Sequence, residues 1–534
     1  MRPPICPRSD EGDGMSLSTL TVTDGIALLK IDSPPVNALS HAVRTALHDG
    51  LKAAVADPAV AAIIITCGGR MFFAGADITE LGKPLQPPLL RDIMGVMEAA
   101  AKPVVAAIHG SALGGGLELS LACSHRVAVP SAKLGLPEVA LGLLPAAGGT
   151  QRLPRLVGLA AAADMIVFGR TITAGKALDL GLIDRIVEEN DMEAGAVAFA
   201  RALVDRAAPL RRARDGRVDL TGAEAETLLA RFRRDHPALF TGYRAPDHIL
   251  RALQAACDLP LVDGLAQEAA LSRALLNGPQ SAAQRHIFFA ERATAKVPDL
   301  APEGPVPTIR HVHIQGTTRD AALLADLFGR SGLSLSAPET ADLLVAAADA
   351  GPLSARLRDT AAAAPLRLHM AAGTLAAIEV ARGADMTDAA VACALALARR
   401  LGTIAIVERP VDGFAIDRLR RSWQPSLTDL LAADDSIPAA DMDLTGACRP
   451  LLALVDEAAM LLADGTVSRA ADLDVAAVKV LGWPIYRGGP LFWGRQVGYG
   501  RIAAALDHLH EHSPAIARRP SPALRRLGQQ EQGN

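Results

Sequence analysis

The sequence predicts an α/β protein with more than one domain. Short apolar runs at 61–66, 104–108 and 126–129 alternate with longer segments of helical character, the pattern of strands and helices packed in layers. With 534 residues the chain exceeds the usual size of one domain. Its hydrophobic content of 50% is enough for sizeable cores, so we expect a folded multidomain protein.

Composition argues against several classes of partner. A net charge of −4 and a pI near 6.4 do not favour binding of nucleic acid or of an anionic membrane. The six cysteines form no CxxC pair and are interpreted as free thiols of a reducing compartment. No apolar run reaches membrane-spanning length. We therefore expect a cytoplasmic protein without a membrane span.

The two ends of the chain carry no recognisable address. Residues 1–14 are polar and lack the apolar core of a signal peptide. Residues 529–534 do not form a peroxisomal targeting signal. Translation is expected to start at Met1 or at Met15, and the sequence does not choose between them.

Hydrophobic periodicity gives the elements in order. They are a pair of strands at 17–31, a turn at 34–39, a helix at 41–56, strands at 61–66, 104–108 and 126–129, helices within 154–187, and a helical region from about 191 to 300. The arginine run at 211–214 is interpreted as a solvated face.

A glycine-rich turn follows the strand at 104–108 and includes Gly114, Gly115 and Gly116. Glycine lacks a Cβ and tolerates positive φ, so backbone can approach a ligand closely there. The helix predicted next presents free N–H groups at its positive dipole end. That arrangement suits a developing oxyanion.

Two carboxylates lie in mostly apolar sequence beside this turn, Glu118 and Glu138, which are 138 − 118 = 20 residues apart. If the fold brings them together, they can give and take a proton. Local chemistry alone leaves a second interpretation open, in which a glycine-rich strand-to-helix turn carries two ordinary surface glutamates.

Six sequence blocks narrow this choice. They are Asn37-Ala38-Leu39, Ala74-Gly75-Ala76-Asp77-Ile78, His109-Gly110, Gly114-Gly115-Gly116-Leu117-Glu118, Leu136-Pro137-Glu138 and Gly148-Gly149-Thr150-Gln151-Arg152. In this order they resemble the enoyl-CoA hydratase/isomerase (crotonase) family. The resemblance implies a spiral of ββα units that takes an acyl-CoA thioester as substrate, in a monomer or a homo-oligomer.

The resemblance also implies roles for individual residues. The N–H groups of Ala76 and Gly115 would hold the thioester oxygen, Glu118 would deprotonate the water that attacks C3, and Glu138 would protonate C2. Further residues would line the substrate site, namely Asn37, Ala38, Leu39, Ala74, Asp77, Ile78, Gly114 and Ala146. Two carboxylates favour hydration of 2-enoyl-CoA, with 3-enoyl to 2-enoyl isomerisation possible through Glu138. No metal or redox cofactor is required.

The second half resembles a shortened dehydrogenase half of the bifunctional enoyl-CoA hydratase/3-hydroxyacyl-CoA dehydrogenases. A strand, turn and helix are predicted at 310–329, where a dinucleotide site needs G-x-G-x-x-G. Gln315, Thr317 and Asp320 occupy those glycine positions, so NAD binding is predicted to be lost. His369 and Glu379 are interpreted as remnants of the family's catalytic pair.

The resemblance covers most of residues 17–510 and predicts five regions. They are a crotonase domain at 15–190, a helical linker at 191–305 with a boundary at 302–307, a degenerate Rossmann-like domain at 306–404, a helical dehydrogenase-type domain at 405–515 and a tail at 516–534, disordered from 520. In the C-terminal domain the resemblance includes Gly413-Phe414 with Asp417. His311 and His313 are interpreted as structural, and the cluster of His508, His510, Glu511 and His512 as a polar helix end.

Three functions remain open. The first is a hydratase whose dehydrogenase half is silent. The second is a still-bifunctional hydratase and NAD-dependent dehydrogenase, which Asp320 disfavours. The third is a non-catalytic acyl-CoA-binding scaffold, which the retention of Glu118 and Glu138 disfavours. Related sites also hydrolyse CoA thioesters, so that reaction stays a further alternative, and acyl chain length and pathway are not predicted.

Overall fold

The computed structural model divides the chain into two compact units, Met1–Ser281 and Ala282–Asn534. Each unit has hydrophobic core clusters made of its own residues. The described residues are 17–80, 82–297, 300–301, 306, 308–346, 353–357, 365–383, 386–409, 414–423, 444, 448–514 and 518–532. The choice between Met1 and Met15, most of the predicted boundary at 302–307, and Gly413 lie outside them.

The first unit alternates strands and helices as predicted, and its main sheet has six strands. Its strands are β1 (Ser18–Thr23), β2 (Ile26–Ile31), β3 (Ala62–Cys67), β4 (Val104–Ile108), β5 (Ser111–Leu113), β6 (His125–Ala128), β7 (Lys133–Gly135), β8 (Thr171–Thr173) and β9 (Arg185–Ile186). The order of the main sheet is β1-β2-β3-β4-β6-β9, in which β1 and β2 are antiparallel and the other pairs are parallel.

The helices of the first unit continue well past residue 190. They are α1 (His41–Ala56), α2 (Leu90–Ala99), α3 (Gly115–Ala122), α4 (Gly149–Val157), α5 (Leu159–Val167), α6 (Ala174–Asp179), α7 (Met192–Asp205), α8 (Gly222–Asp235), α9 (Ala245–Asp258) and α10 (Leu261–Leu276). α11 (Pro279–Thr294) contains the division between the units. That division therefore falls inside the predicted linker. The bounds of the five regions remain predictions.

Local chemistry explains where α1 begins and which face it buries. Ser40 is its N-cap, and its hydroxyl accepts a hydrogen bond from the N–H of Val43 at 3.4 Å. Val43, Leu47 and Leu51 recur at a spacing of four residues and are fully buried. Each such side chain contributes roughly 1.5–3 kcal/mol by leaving water.

A small second sheet brings distant segments of the first unit together. β5 pairs in parallel with β7, and the register aligns Leu113 with Gly135. The next N–H, that of Gly114, donates to the carbonyl of Gly135 at 3.0 Å. This pairing places the glycine turn beside the segment that leads to Glu138.

The second unit contains a seven-stranded mixed sheet. Its elements are β10 (His311–Gln315), α12 (Arg319–Arg330), β11 (Ser334–Leu335), β12 (Leu343–Ala346), β13 (Leu353–Leu357), β14 (Pro365–Ala371), β15 (Thr374–Ala381), α13 (Asp388–Arg400) and β16 (Ile404–Glu408). Strands pair in parallel at both ends of the sheet, as a dinucleotide-binding domain requires, but β12 to β15 pair antiparallel in its centre.

The remainder of the second unit is helical, as predicted. Its described α-helices are α14 (Ala415–Ser422), α15 (Arg449–Ala463), α16 (Ala470–Ala476), α17 (Pro490–Val497), α18 (Tyr499–His512) and α19 (Pro522–Gln532). Among the described residues, no helix is both long enough and apolar enough to cross a membrane.

The expectation of a disordered tail from residue 520 is wrong, because α19 is an ordered helix with a buried face. Leu524 is fully buried, and Leu527 packs against the same core. The N–H of Ser521 donates to Oδ1 of Asp456 at 2.9 Å. The apolar spacing of these leucines was the signal that the polar composition of the segment obscured.

The histidines set aside in the sequence lie on the surface or bond to backbone. The ring Nδ1 of His313 lies 3.0 Å from the carbonyl oxygen of Ser336. At the exposed end of α18, His508, Glu511 and His512 bring ligand-type atoms within 4.8 Å of one another.

Candidate active site

Two backbone N–H groups, those of Ala76 and Gly115, form the first part of the site. Gly75 has φ +108° and Gly114 has φ +52°, conformations that favour glycine. A Cβ on Gly75 would lie 2.9 Å from the carbonyl oxygen of Leu113 and 3.6 Å from the nitrogen of Gly115. The two segments are therefore in close backbone contact.

Both of these N–H groups remain available to a ligand. Gly115 is the first residue of α3, so its N–H has no acceptor within the helix. Within the described residues, neither it nor the N–H of Ala76 donates to a protein oxygen. The pair can hold one oxygen atom between them.

Glu118 lies on α3, a helix whose eight residues are all buried. The N–H groups of Ala147 and Gly149 each donate to its Oε1, at 2.8 Å. Its Oε2 makes no hydrogen bond to a described residue. Burial raises the pKa of Glu118, while the two N–H donors and the charge of Arg152 oppose that rise. One oxygen is thus fixed and the other is available.

Glu138 follows Pro137 at the start of a short 3₁₀ helix, Glu138–Leu141. Its Oε2 is buried and has no hydrogen-bond partner among the described residues. Burial raises the pKa of Glu138 well above its usual value, and the charge of Glu118 raises it further. A buried, unpartnered carboxyl oxygen with a raised pKa is suited to carry a proton.

The structure brings Glu118 and Glu138 to the same glycine turn. Oε1 of Glu138 lies 3.1 Å from the position that a Cβ on Gly114 would occupy. Glu118 is in the first turn of α3, which Gly114 precedes as N-cap. Glu118 is 4% exposed and Glu138 is half-buried with a buried Oε2, which disfavours the interpretation of these residues as two unrelated surface glutamates.

Asn37 positions backbone. It has φ +51° and is 3% exposed. Its Nδ2 donates to the carbonyl oxygens of Gly68 and Met71, each at 2.9 Å, and its Oδ1 accepts from the N–H of Ser33 at 2.7 Å. Because these donors and acceptors are engaged, the side chain fixes the loop after β3.

The neighbouring predicted residues hold the segment that carries the N–H of Ala76. Leu39 is buried, and its N–H donates to the carbonyl of Gly75 at 2.9 Å, which ties the two segments together. Asp77 caps the short turn that contains Ile78 by accepting from the N–H of Thr79 at 2.9 Å. The backbone of Leu39 and the side chain of Asp77 therefore hold this segment in place.

The remaining predicted residues differ in exposure. Ala38 is half-buried, and so is Ala74, whose N–H donates to the carbonyl of Val36 at 3.2 Å. Ala146 is exposed next to the loop that holds Glu118. Within the described residues its N–H has no protein acceptor, so it is available to a ligand or to water.

Glu268, which the sequence reasoning missed, is part of the same network. It lies on α10 and is 1% exposed. Its Oε1 accepts from the N–H of Gly148 at 2.7 Å, and its Oε2 accepts from the N–H and the hydroxyl of Thr150 at 3.1 and 2.5 Å. Burial and then the charge of Glu118 raise its pKa to about 8.

A signal for Glu268 was present in the sequence. Gly264, Glu268, Leu271 and Leu275 recur at helical spacing and form the buried face of α10. A carboxylate on an apolar helix face is uncommon unless it is paired or hydrogen-bonded.

Arg152 supports the same loop from α4. It forms a buried ion pair with Glu98 on α2, with oxygen–nitrogen distances of 2.7 and 3.0 Å. Its Nη1 donates to the carbonyl of Ala147 at 3.0 Å. The sequence reasoning used Arg152 only as part of a motif.

In the second unit, the predicted turn after β10 is exposed at Gln315 and Thr317, and Asp320 lies in the first turn of α12. The hydroxyl of Thr318, the N-cap, accepts from the N–H of Ala321 at 3.2 Å. A carboxylate and a side-chain cap therefore occupy the end of α12 that a pyrophosphate would need.

His369 and Glu379 form a buried pair. Nε2 of His369 lies 2.6 Å from Oε2 of Glu379, and both side chains are 0% exposed. The N–H of Ile416 donates to Oε1 of Glu379 at 2.7 Å. Burial lowers the pKa of His369 to about 4 and raises that of Glu379 to about 8. Solvent therefore does not reach either side chain in this structure.

Comparison with known proteins finds similarity over a region that includes Glu118 and Glu138. The enoyl-CoA hydratase/isomerase family model matches residues 21–228. The peroxisomal bifunctional enzyme of Danio rerio is 42% identical over 282 residues, which are 52% of this chain and 38% of that protein. The glyoxysomal fatty acid beta-oxidation multifunctional protein MFP-a of Cucumis sativus is 37% identical over 305 residues, 55% of this chain and 42% of that protein.

Among solved structures, an enoyl-CoA hydratase from Mycobacterium avium subsp. paratuberculosis is 25% identical, with a TM-score of 0.38, over 52% of this chain and 96% of that one. The present chain spans about two fifths of the length of the curated relatives named above. Residues 21–228, which are less than half of the chain, are similar to the enoyl-CoA hydratase/isomerase family.

Proposed function

We propose that the first unit is an enoyl-CoA hydratase, which adds water across the 2,3 double bond of 2-enoyl-CoA thioesters in fatty-acid or related β-oxidation. The observation that carries the proposal is the pair of buried carboxylates at one glycine turn. Glu118 has one oxygen fixed and one available, and Glu138 has a buried oxygen without a partner.

The chain's own groups supply each step. The thioester oxygen accepts hydrogen bonds from the N–H groups of Ala76 and Gly115, and these stabilise the enolate-like charge that develops on it. Such a donor is typically worth about 3 kcal/mol. Oε2 of Glu118 binds the water and takes its proton as oxygen attacks C3, and Glu138 delivers a proton to C2.

The surroundings of the two carboxylates favour these different roles. Glu118 receives two backbone N–H bonds, which stabilise its anion and therefore its function as a base. Glu138 has no such donor on Oε2, and the negative charge of Glu118 favours its protonated form. Environments that separate the pKa values of two acids in this way assign one as base and one as acid.

Isomerisation of 3-enoyl to 2-enoyl thioesters is a secondary activity of the same proposal. It needs one group that moves a proton between C2 and C4 beside the oxyanion donors. Glu138 meets this need because its buried oxygen is unpartnered and the carboxyl group lies against Gly114.

We further propose that the second unit does not act as a dehydrogenase and that the protein needs no redox cofactor or metal for hydration. Two observations support this. Asp320 occupies the first turn of α12, where its charge opposes a pyrophosphate. His369 and Glu379 are fully buried, so they cannot reach a substrate in this conformation.

A cytoplasmic location is part of the proposal. Cys67, Cys123, Cys257 and Cys393 are free thiols, which fits a reducing compartment. Fractionation of cells that produce the untagged chain tests it, because recovery of the protein in an organelle fraction would contradict the prediction.

The test of function is an assay with crotonyl-CoA that follows loss of the conjugated thioester absorbance, repeated with NAD. Loss of absorbance without NADH formation is expected. NADH formation would restore the still-bifunctional alternative. Calorimetry with NAD is an independent check, since clear micromolar binding would contradict our interpretation of Asp320. Binding of acyl-CoA without turnover would support the non-catalytic scaffold.

A further inference from the structure

Four successive backbone N–H groups, at residues 147–150, donate alternately to two carboxylates. The N–H groups at 147 and 149 donate to Glu118, at 2.8 Å each. Those at 148 and 150 donate to Glu268, at 2.7 and 3.1 Å. The loop that orients Glu118 is therefore held from its other side by Glu268.

The segment 147–150, called the 147–150 loop, leads into the first turn of α4 and needs an external restraint because glycine occupies its two central positions. Gly148 has φ +102°, and a Cβ there would collide with Nη1 of Arg152. A Cβ on Gly149 would lie 2.9 Å from Oε1 of Glu118. Side chains are thus excluded, and glycine backbone does not fix its own conformation.

Glu268 provides that restraint from a helix distant in sequence. It accepts three hydrogen bonds, from the N–H of Gly148 and from the N–H and hydroxyl of Thr150. It is 1% exposed and does not lie on the described surface. Its neighbours Glu118 and Arg152 influence its ionisation, and its own charge acts on Glu138.

We propose that Glu268 is a positioning residue for hydration, which holds the 147–150 loop so that Glu118 keeps one oxygen fixed and presents the other to water. The inference rests on the proposed function. It makes α10 a working part of the hydratase site, although α10 lies in the region that the sequence predicted to be a linker.

The experiment compares the full-length wild type with Glu268→Gln, Thr150→Val and a matched control, Asp263→Asn, in the crotonyl-CoA assay. A glutamine at 268 places an amide NH₂ against an N–H donor, so the loop loses at least one bond. We expect kcat to fall about 10- to 100-fold with KM changed less than about threefold. Thr150→Val removes the hydroxyl bond to Glu268 and the bond that the hydroxyl accepts from Nε2 of Gln151, but it keeps both backbone bonds to Glu268, so a smaller loss is expected.

The pH profile separates positioning from general destabilisation. Above about pH 8, where Glu268 is ionised, its negative charge raises the pKa of Glu138, so removing that charge lowers the pKa of Glu138 in this range. The groups that face Glu268 are Glu118, Glu138 and Arg152, and none of them is changed in the variant. The alkaline limb of kcat/KM in Glu268→Gln is therefore expected to move to lower pH, which a merely structural role would not produce.

The control and the wild type make the outcomes distinguishable. Asp263 is exposed on the same helix, so Asp263→Asn is expected to match the wild type. If the wild type is inactive on crotonyl-CoA, the proposed function fails and this inference falls with it. If the wild type is active and folded Glu268→Gln keeps its kcat and its pH profile, only the inference fails. If Glu268→Gln does not fold, unchanged kcat in Thr150→Val overturns it.

Discussion

At the scale of single residues, the site depends on a difference between two similar side chains. Glu118 and Glu138 are both buried carboxyl groups, yet only Glu118 accepts backbone N–H bonds from the loop at 147–149. Burial raises both pKa values, and the N–H donors limit the rise for Glu118. The same residue type can therefore serve once as base and once as acid.

The first prediction removes each carboxylate in turn. Glu118→Gln and Glu138→Gln should each lower kcat for crotonyl-CoA by about 10²- to 10⁴-fold, the usual contribution of a general acid or base. Glutamine keeps the size of the side chain, so circular dichroism should show an unchanged fold. Glu226→Gln, at an exposed position on α8, is the control. Turnover near that of the wild type in either variant would remove the paired-carboxylate mechanism.

The second prediction concerns the pH dependence of hydration. Glu118 must be ionised and Glu138 protonated, so kcat/KM should rise through the first pKa and fall through the second. Both pKa values are raised above the ordinary value for glutamate. The bell-shaped pH profile of kcat/KM should therefore be displaced to higher pH. Its two limbs report on the coupled pair of glutamates. In Glu138→Gln the residual activity should lack the alkaline limb, and a retained limb would assign it to another group.

At the scale of elements, α3 depends on the absence of side chains on its glycines. The helix is buried on every side, and a Cβ on Gly116 would lie 2.5 Å from the carbonyl oxygen of Phe73 and 2.7 Å from its Cβ. All of these atoms belong to the backbone or the Cβ of Phe73, which leaves little freedom to relax. Glycine is therefore required here by close packing, although its φ is not positive.

The third prediction uses this contact. Glycine to alanine in a helix normally stabilises by up to about 1 kcal/mol, but overpacking costs about 1–3 kcal/mol. Gly116→Ala should therefore lower the free energy of unfolding. Gly175→Ala on α6, where the nearest atom to a new Cβ is 4.0 Å away, should leave stability unchanged or raise it. Thermal denaturation measures both, and equal effects would contradict the packing argument.

At the scale of the whole molecule, the two units carry separate acidic clusters. In the second unit, Glu379 and Glu408 are buried together, and the N–H groups of Ile416 and Ala415 donate to them at 2.7 and 2.8 Å. Burial raises the pKa of each glutamate to about 8. The charged or titratable groups that face Glu379 are His369, Asp417, Arg367 and Arg420. The charge of Asp417 also acts on Glu408.

The fourth prediction follows by linkage. A raised pKa means that the folded state binds the proton more tightly than the unfolded state, so stability is full below about pH 4.5 and is lost as pH rises towards 8. His369, with its pKa lowered to about 4, acts in the opposite direction only below its ordinary value of 6.5. Between about pH 6.5 and 8, the second unit should therefore lose stability.

Tryptophan fluorescence during urea denaturation measures this loss, because all three tryptophans, Trp423, Trp483 and Trp493, lie in the second unit. Glu408→Gln removes one of the titrating groups and should flatten the dependence. Glu511→Gln, at an exposed position on α18, should leave it unchanged. If the free energy of unfolding of the wild type does not change with pH, the hypothesis that burial raises the pKa values of Glu379 and Glu408 is refuted.

The sequence by itself determined the local elements and the central pair of residues. The helix at 41–56 has the predicted bounds because a capping serine and apolar residues at helical spacing act within one turn or two. Local chemistry left the pairing of Glu118 and Glu138 open, and the resemblance to the crotonase family predicted them as partners. The helical character of the region from about 191 to 300 was also predicted, and the α-helices between Met192 and Thr294 confirm it.

Only the tertiary structure decided how these parts act together. Glu268 lies 118 residues beyond Thr150 in the chain, and their hydrogen bonds exist because α10 packs beside α4. The order of the last helix likewise depends on contacts with Asp456, 65 residues away. Local patterns specify which face of a helix is buried. Which partner covers that face depends on packing between segments distant in the chain. The proposed function of Glu268 depends on such packing.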